Sequence, residues 1–335
     1  MSTQHVNWGT ASAPHARALS APQLSAYFER ISVSESDVRA LDSASLLHLI
    51  VRCHSLSSPF EALDVALGVH VSLDPAHIFS KLVVARRGGY CLENSFLLFA
   101  ALSTLGFQLR IRAARVWMRV RTYVPQDPPM ARQHVVLLVK APEGRGGGGG
   151  CETGADGADG DGMTWLVDVG FGGGGPSAPL PLREGQVRAC GDIFELRAGN
   201  ELDGEDSWLL YAVHDGAWKL LYSFEHYTWN RPRCHAADFI LTNFFVQHAA
   251  GSIFHTIRVA AQQLADGRVT LINNVLRVRG CETLGETPAT ETRTCADADE
   301  LREVALQYFR IELSPAQAVT VFALGAANAI PPNGT

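Results

Sequence analysis

The chain has no apolar run approaching the ~20 residues that span a bilayer. Its first 20 residues, MSTQHVNWGTASAPHARALS, lack the basic-then-apolar order of a secretory signal. Both absences predict a cytoplasmic protein without a membrane partner. Basic residues are also scarce, with 28 Lys and Arg against 34 Asp and Glu and a net charge of −6. No basic block could follow a phosphate backbone, so a nucleic-acid partner is not expected.

No Cys-x-x-Cys pair occurs. The seven cysteines, at 53, 91, 151, 190, 234, 281 and 295, are odd in number and scattered, which argues against a disulfide framework. Cys53-His54 and Cys234-His235 are adjacent pairs without zinc-ligand spacing. The glycine runs at 146–150 and 172–175 lack the Lys-Ser/Thr that completes a phosphate loop. Asp156, Asp159 and Asp161 lack the closing acidic residue of a calcium loop, because position 170 is glycine. No metal and no permanently bound cofactor is expected, and there is no internal repeat.

What is present is a chain of 335 residues, 47% hydrophobic, long enough for two or three packed units around one site. Helical spacing over 21–31, behind Ser20 and Pro22, predicts a first helix, and 43–54 a second with Leu46, Leu47, Ile50 and Val51 on one face. A strongly apolar third helix is predicted over 91–105, ended by Gly106. The pattern then changes to short β-rich runs at 108–120, 133–140, 164–171, 193–198, 208–213 and 218–224, which predict a β-barrel or strongly bent sheet. The Gly-rich stretch 144–162 reads as a disordered surface insertion. The last third predicts a helix near 235–247, strands at 253–263 and 268–279, and a final helix from 298 to 309 capped by Asp297 and Glu300.

The stretch RRGGYCLENS, residues 86–95, places Cys91 between a Gly-Gly pair and a helix start. A thiolate there would face unpaired N–H groups and the positive end of the helix dipole, which favours the ionised sulfur. Gly88 and Gly89 allow a tight approach and leave room beside the sulfur. A cysteine taken alone is usually a small buried hydrophobe. Two distant residues argue otherwise: His134 opens the apolar strand HVVLLV, and Asp168 stands inside WLVDVGFG, where an unpaired carboxylate would be costly to bury. A Cys-His-Asp group accounts for all three, with the carboxylate orienting the imidazole and the imidazole activating the thiol.

The run Arg87-Gly88-Gly89-Tyr90-Cys91-Leu92-Glu93 resembles the Arg-Gly-Gly-x-Cys-x-Glu signature of the arylamine N-acetyltransferases. The segments SPFEALD, HVVLLV, LVDVGFG, YSFEHYTWNRPRC and LREVALQYFRIEL are similar to that family's in the same order, over roughly residues 20–315. The resemblance implies Cys91, His134 and Asp168 as catalytic residues, and Phe60, Phe171 and Gly172 at the substrate pocket. It further implies Phe245, Gly251 and Ser252 at the acyl-CoA, with Arg87, Glu61 and Glu93 as structural support, Glu61 pairing with Arg87. Two positions depart from the family pattern: Ser95 stands for its Asn, and His248-Ala249-Ala250 for its Thr-Ser-Pro.

The implied fold is α+β with a cysteine-protease-like triad arrangement. It comprises a helical unit at 1–107, a β-barrel at 108–225 and an α/β lid at 226–335. The implied activity is ping-pong transfer of an acetyl group from acetyl-CoA, as co-substrate, to an arylamine or arylhydrazine through an acyl-Cys91, a role in xenobiotic metabolism. Malonyl-CoA is an alternative donor. A Cys-His-Asp hydrolase, a transglutaminase-like enzyme and a non-catalytic CoA-binding protein are the alternative classes. Oligomeric state and natural acceptor stay open.

Overall fold

The computed structural model describes residues 18–117, 131–142, 163–200, 206–226, 229, 234–249, 252–281 and 284–327. The expected disordered insertion at 144–162, the end of the first predicted strand at 118–120, and Ala250 and Gly251 lie outside the described residues.

The N-terminal part is helical: α1 (Ala21–Ile31), α2 (Glu35–Ala40), α3 (Ser43–Ser57), then a two-residue strand β1 (Phe60–Glu61), α4 (Leu63–Ala66), α5 (Pro75–Phe79) and α6 (Cys91–Thr104). Their ends follow local chemistry. Ser20 and Gln23 form a capping box on α1, and the Asp42 carboxylate accepts the Ser45 N–H at 2.8 Å to start α3. Helix α6 is enclosed on most sides, with eleven of its residues buried, and after the polar Glu93, Asn94 and Ser95 of its start it is apolar over 96–102. Gly106, at φ +88°, turns the chain out of it.

The largest sheet holds β2 (Gln108–Val116), β3 (His134–Lys140), β4 (Thr164–Val167), β5 (Leu180–Pro181), β6 (Gly185–Ala189), β7 (Asp192–Asn200), β8 (Asp206–His214) and β9 (Ala217–Glu225), in the order β5-β4-β3-β2-β9-β8-β7-β6. Its two edge strands are consecutive in the chain with only residues 182–184 between them. So short a link draws the edges together, and the sheet curls into a nearly closed barrel. Strand β3 is buried at all seven positions because both of its faces are covered. Val135, Leu137 and Val139 pack with the helices, whereas Val136 and Leu138 point into the barrel core.

The C-terminal part contains α7 (Phe239–His248), β10 (Val259–Leu264), β11 (Gly267–Ile272), β12 (Val275–Gly280), β13 (Thr290–Thr294), α8 (Ala298–Phe309) and α9 (Pro315–Ala327). Its sheet runs β1-β10-β11-β12-β13, so a strand from the helical part forms one edge. No helix among the described residues is long and apolar enough to cross a membrane.

Four local expectations need correction. The strand expected over 164–171 stops at Val167, and Asp168 begins a loop. The one expected over 253–263 starts as a 3-10 turn at Ile253–His255 and becomes extended only at Val259. The run 268–279 is two strands, folded back at Asn273, whose φ of +54° suits a short polar side chain. Helix α8 is followed by α9, so it is not the last.

Candidate active site

Cys91 is the first residue of α6, and the turn that delivers it depends on glycine at two places. A Cβ on Gly88 would meet the Pro59 carbonyl oxygen at 2.3 Å, and one on Gly89 would meet the Glu93 carboxylate at 2.7 Å. Backbone bonds tie this turn to β1: Gly89 N–H donates to the Pro59 carbonyl at 3.1 Å, and Glu61 N–H to the Gly89 carbonyl at 3.0 Å. Glu93 caps the helix by accepting the Tyr90 N–H at 3.1 Å. Asn94 adds a bond from its side-chain amide to the Gly89 carbonyl at 2.6 Å, while its oxygen accepts the Ser58 hydroxyl at 2.7 Å.

His134 begins β3 and Asp168 follows the last residue of β4, so neighbouring antiparallel strands set them side by side. His134 Nε2 and Asp168 Oδ2 are 2.8 Å apart, both side chains being almost wholly buried. The other carboxylate oxygen accepts the Gly170 N–H at 2.9 Å. Burial opposes a charge on His134, but the Asp168 carboxylate, its hydrogen bond and the adjoining Cys91 side chain outweigh it and push the imidazole up to about 10. The Cys91 sulfur lies 3.8 Å from the Gln133 carbonyl, next to His134 in the chain. Helix, strand end and loop thus bring the three predicted residues together from positions far apart in sequence.

Aromatic rings hold the imidazole from two sides, Phe171 and Tyr222 each with its ring centre 5.3 Å from that of His134. The Tyr222 hydroxyl is buried beside Asp168, and burial first and the carboxylate second keep it protonated, yet it makes no hydrogen bond of regular geometry. Beneath the site, Arg87 Nη2 reaches Glu61 at 2.6 Å and Asp64 at 3.0 Å. Glu93 pairs with Lys81 at 2.9 Å. Burial pushes the Glu93 carboxyl up to about 7 against the pull of that ammonium. Lys81, Asp64, Asn94, Gly170 and Tyr222 are not picked out by sequence reasoning. Of these, only Gly170 carried a usable signal, as a glycine two residues after a buried carboxylate.

Cys91, His134 and Gly170 open into a cavity of about 110 Å³ walled by Phe60, Phe171, Val246, Ile253 and Phe254. Its walls are mainly apolar. Gly172 is set behind it, with Asp168, on a smaller recess of about 20 Å³. Phe245 is half-exposed on α7 and Ser252 is buried with its hydroxyl donated to the Val246 carbonyl at 2.7 Å, so neither lines the cavity. Gly251 lies outside the described residues. Among those residues no group of His, Cys, Asp and Glu is arranged to hold a metal ion.

Comparison with known proteins places the chain among acyltransferases. A family model described as N-acetyltransferase matches residues 44–145 and 158–319. An arylamine N-acetyltransferase of Mycobacterium tuberculosis is 33% identical over 293 residues, covering 87% of this chain and 90% of its own. An N-malonyltransferase, FDB2, of Fusarium pseudograminearum is 26% identical over 299 residues, covering 80% and 79%. Among solved structures, the arylamine N-acetyltransferase of Mycobacterium marinum in complex with CoA superposes with a TM-score of 0.71 at 28% identity, over 90% of this chain and 99% of that one.

Proposed function

Because the chain belongs to the arylamine N-acetyltransferase family, and is therefore an acyltransferase, we propose that it carries an acetyl group from acetyl-CoA to an arylamine or arylhydrazine by way of a thioester on Cys91. The observation that carries this reading is the 2.8 Å His134–Asp168 pair beside a cysteine at a helix N-terminus, at the foot of an apolar cavity.

The reaction divides into two half-reactions. Cys91 and His134 form a thiolate–imidazolium pair, the thiol proton residing on the ring, and Asp168 stabilises the imidazolium. The thiolate attacks the thioester carbonyl carbon, and backbone N–H groups, that of Cys91 among them, receive the oxyanion. The tetrahedral intermediate collapses by breaking the bond to the CoA sulfur, which leaves with the proton from His134. An arylamine then enters against Phe60 and Phe171, and its nitrogen attacks the acyl carbon. His134 accepts the proton from that nitrogen, and the Cys91 thiolate departs as the amide forms.

In this scheme residues 1–107 supply the nucleophile and 108–225 the imidazole and carboxylate. Residues 226–335 form a lid, a reading supported by Val246, Ile253 and Phe254 on the cavity wall. Malonyl transfer is the second reading, favoured by the likeness to FDB2. Incubation with an arylamine and either acetyl-CoA or malonyl-CoA tests both, since the mass of the amide identifies the donor. Free acid without any amide would instead assign a hydrolase.

A further inference from the structure

Lys81 lies outside the cavity, yet it places a cation beneath the nucleophile. It sits in a π turn, Ser80–Val84, where the Ala85 N–H reaches back to the Ser80 carbonyl at 2.8 Å. Such turns shift the face on which a side chain emerges and recur at functional sites. Here the Lys81 side chain is 18% exposed, and its ammonium is 2.7 Å from Asp64, 2.9 Å from Glu93 and 3.9 Å from Glu61.

The cluster is made of three carboxylates, Glu61, Asp64 and Glu93, and two cations, Lys81 and Arg87. Arg87 bonds Glu61 and Asp64, which leaves Lys81 as the cation in contact with Glu93 among the described residues. Glu93 is almost fully buried, and its second oxygen accepts the N–H of Tyr90, the residue before Cys91. A chain of contacts therefore runs from Lys81 through Glu93 to the backbone that presents the sulfur.

We propose that Lys81 is a positioning residue for acyl transfer: it neutralises Glu93, and the neutralised cap fixes the turn that aims Cys91 at His134. The inference rests on Cys91 being the acyl acceptor. A lysine that merely fills space would leave a hole when shortened, and altering Glu93 would not mend it. A lysine that balances Glu93 leaves, when removed, a buried carboxyl without its cation, at a cost wherever the pH keeps that group ionised, and neutralising it by substitution relieves the fault.

Single-turnover acetylation of Cys91 by acetyl-CoA, followed by intact-protein mass, separates the two. Lys81→Met is expected to acetylate about tenfold more slowly than wild type. Adding Glu93→Gln to that variant is expected to bring the rate back to within about threefold of wild type. Lys81→Gln, which is slightly shorter and uncharged but can still donate a hydrogen bond, carries the same comparison if Lys81→Met does not fold. A wild-type rate in the single variant, or an equal loss in the double variant, would overturn the proposal. Wild-type protein that takes no acetyl group on Cys91 would overturn the acyl-transfer reading beneath it.

Discussion

Gly170 lies directly against Cys91: a methyl group in place of its hydrogen would stand 2.6 Å from the Cys91 Cα. The loop that follows Asp168 is thereby pressed onto the start of α6, and the same Gly170 donates its N–H to Asp168. One residue without a side chain keeps the nucleophile and the carboxylate in register.

Gly170→Ala therefore forces backbone apart from backbone, since no flexible side chain can yield. The expected result is a folded protein whose acetylation rate falls at least about a hundredfold, because misplacement of reacting groups by about 1 Å costs that much. Stopped-flow or quenched mass measurement against acetyl-CoA checks it. An alanine variant with wild-type rate would mean that the loop does not set the position of Cys91.

The His134–Asp168 pair makes stability depend on pH with a definite sign. The folded protein holds the His134 proton to about 10, against an ordinary value of 6.5. Below 6.5 both folded and unfolded chains are protonated at His134, and the stabilisation is complete. Between 6.5 and about 10 the unfolded chain has released the proton while the folded one keeps it, so the stabilisation drains away as pH rises. Denaturant titrations should accordingly show the stability gap between wild type and Asp168→Asn narrowing from pH 6.5 toward 10. A gap that widens over that range would contradict the assignment.

Phe60 walls the cavity and its ring centre lies 6.2 Å from that of Phe254. Phe60→Ala removes apolar surface from the cavity, on what the proposed function makes the acceptor's side, without altering Cys91, His134 or Asp168. The KM for an arylamine is expected to rise about tenfold, the equivalent of one lost aromatic contact. Acetylation of Cys91 in the absence of acceptor is expected to stay within about threefold of wild type. Steady-state kinetics alongside single-turnover labelling distinguish the two half-reactions, and a loss confined to the acetylation step would move Phe60 to the donor's side.

The three residues proposed to react are legible in the sequence because each is chemically out of place: a cysteine at a Gly-Gly-to-helix junction, and a histidine and an aspartate in runs of valine and leucine. The barrel is legible for a related reason, since strands such as β3 are apolar between their ends, at 135–139. What is not legible is short or assembled by packing. Helix α2, at six residues, and β5, at two, are below the length at which a period can be counted. The hairpin at Asn273 reads as one strand because the apolar residues on both sides of the turn look continuous. The charge cluster joins Asp64 and Lys81 to the run Arg87–Glu93, and no spacing along the chain announces that these segments meet. The expected acyl-CoA contacts at Phe245 and Ser252 came from resemblance alone, and neither side chain lines the cavity in the described structure.

The central claim is that Cys91 receives the acyl group. Intact-protein mass after incubation with acetyl-CoA and no acceptor tests it most directly. The account predicts a gain of one acetyl group on the wild-type protein, mapped to Cys91, absent from Cys91→Ser and lost again when an arylamine is added. No gain with acetyl-, propionyl- or malonyl-CoA, or a gain that persists in Cys91→Ser, would contradict it.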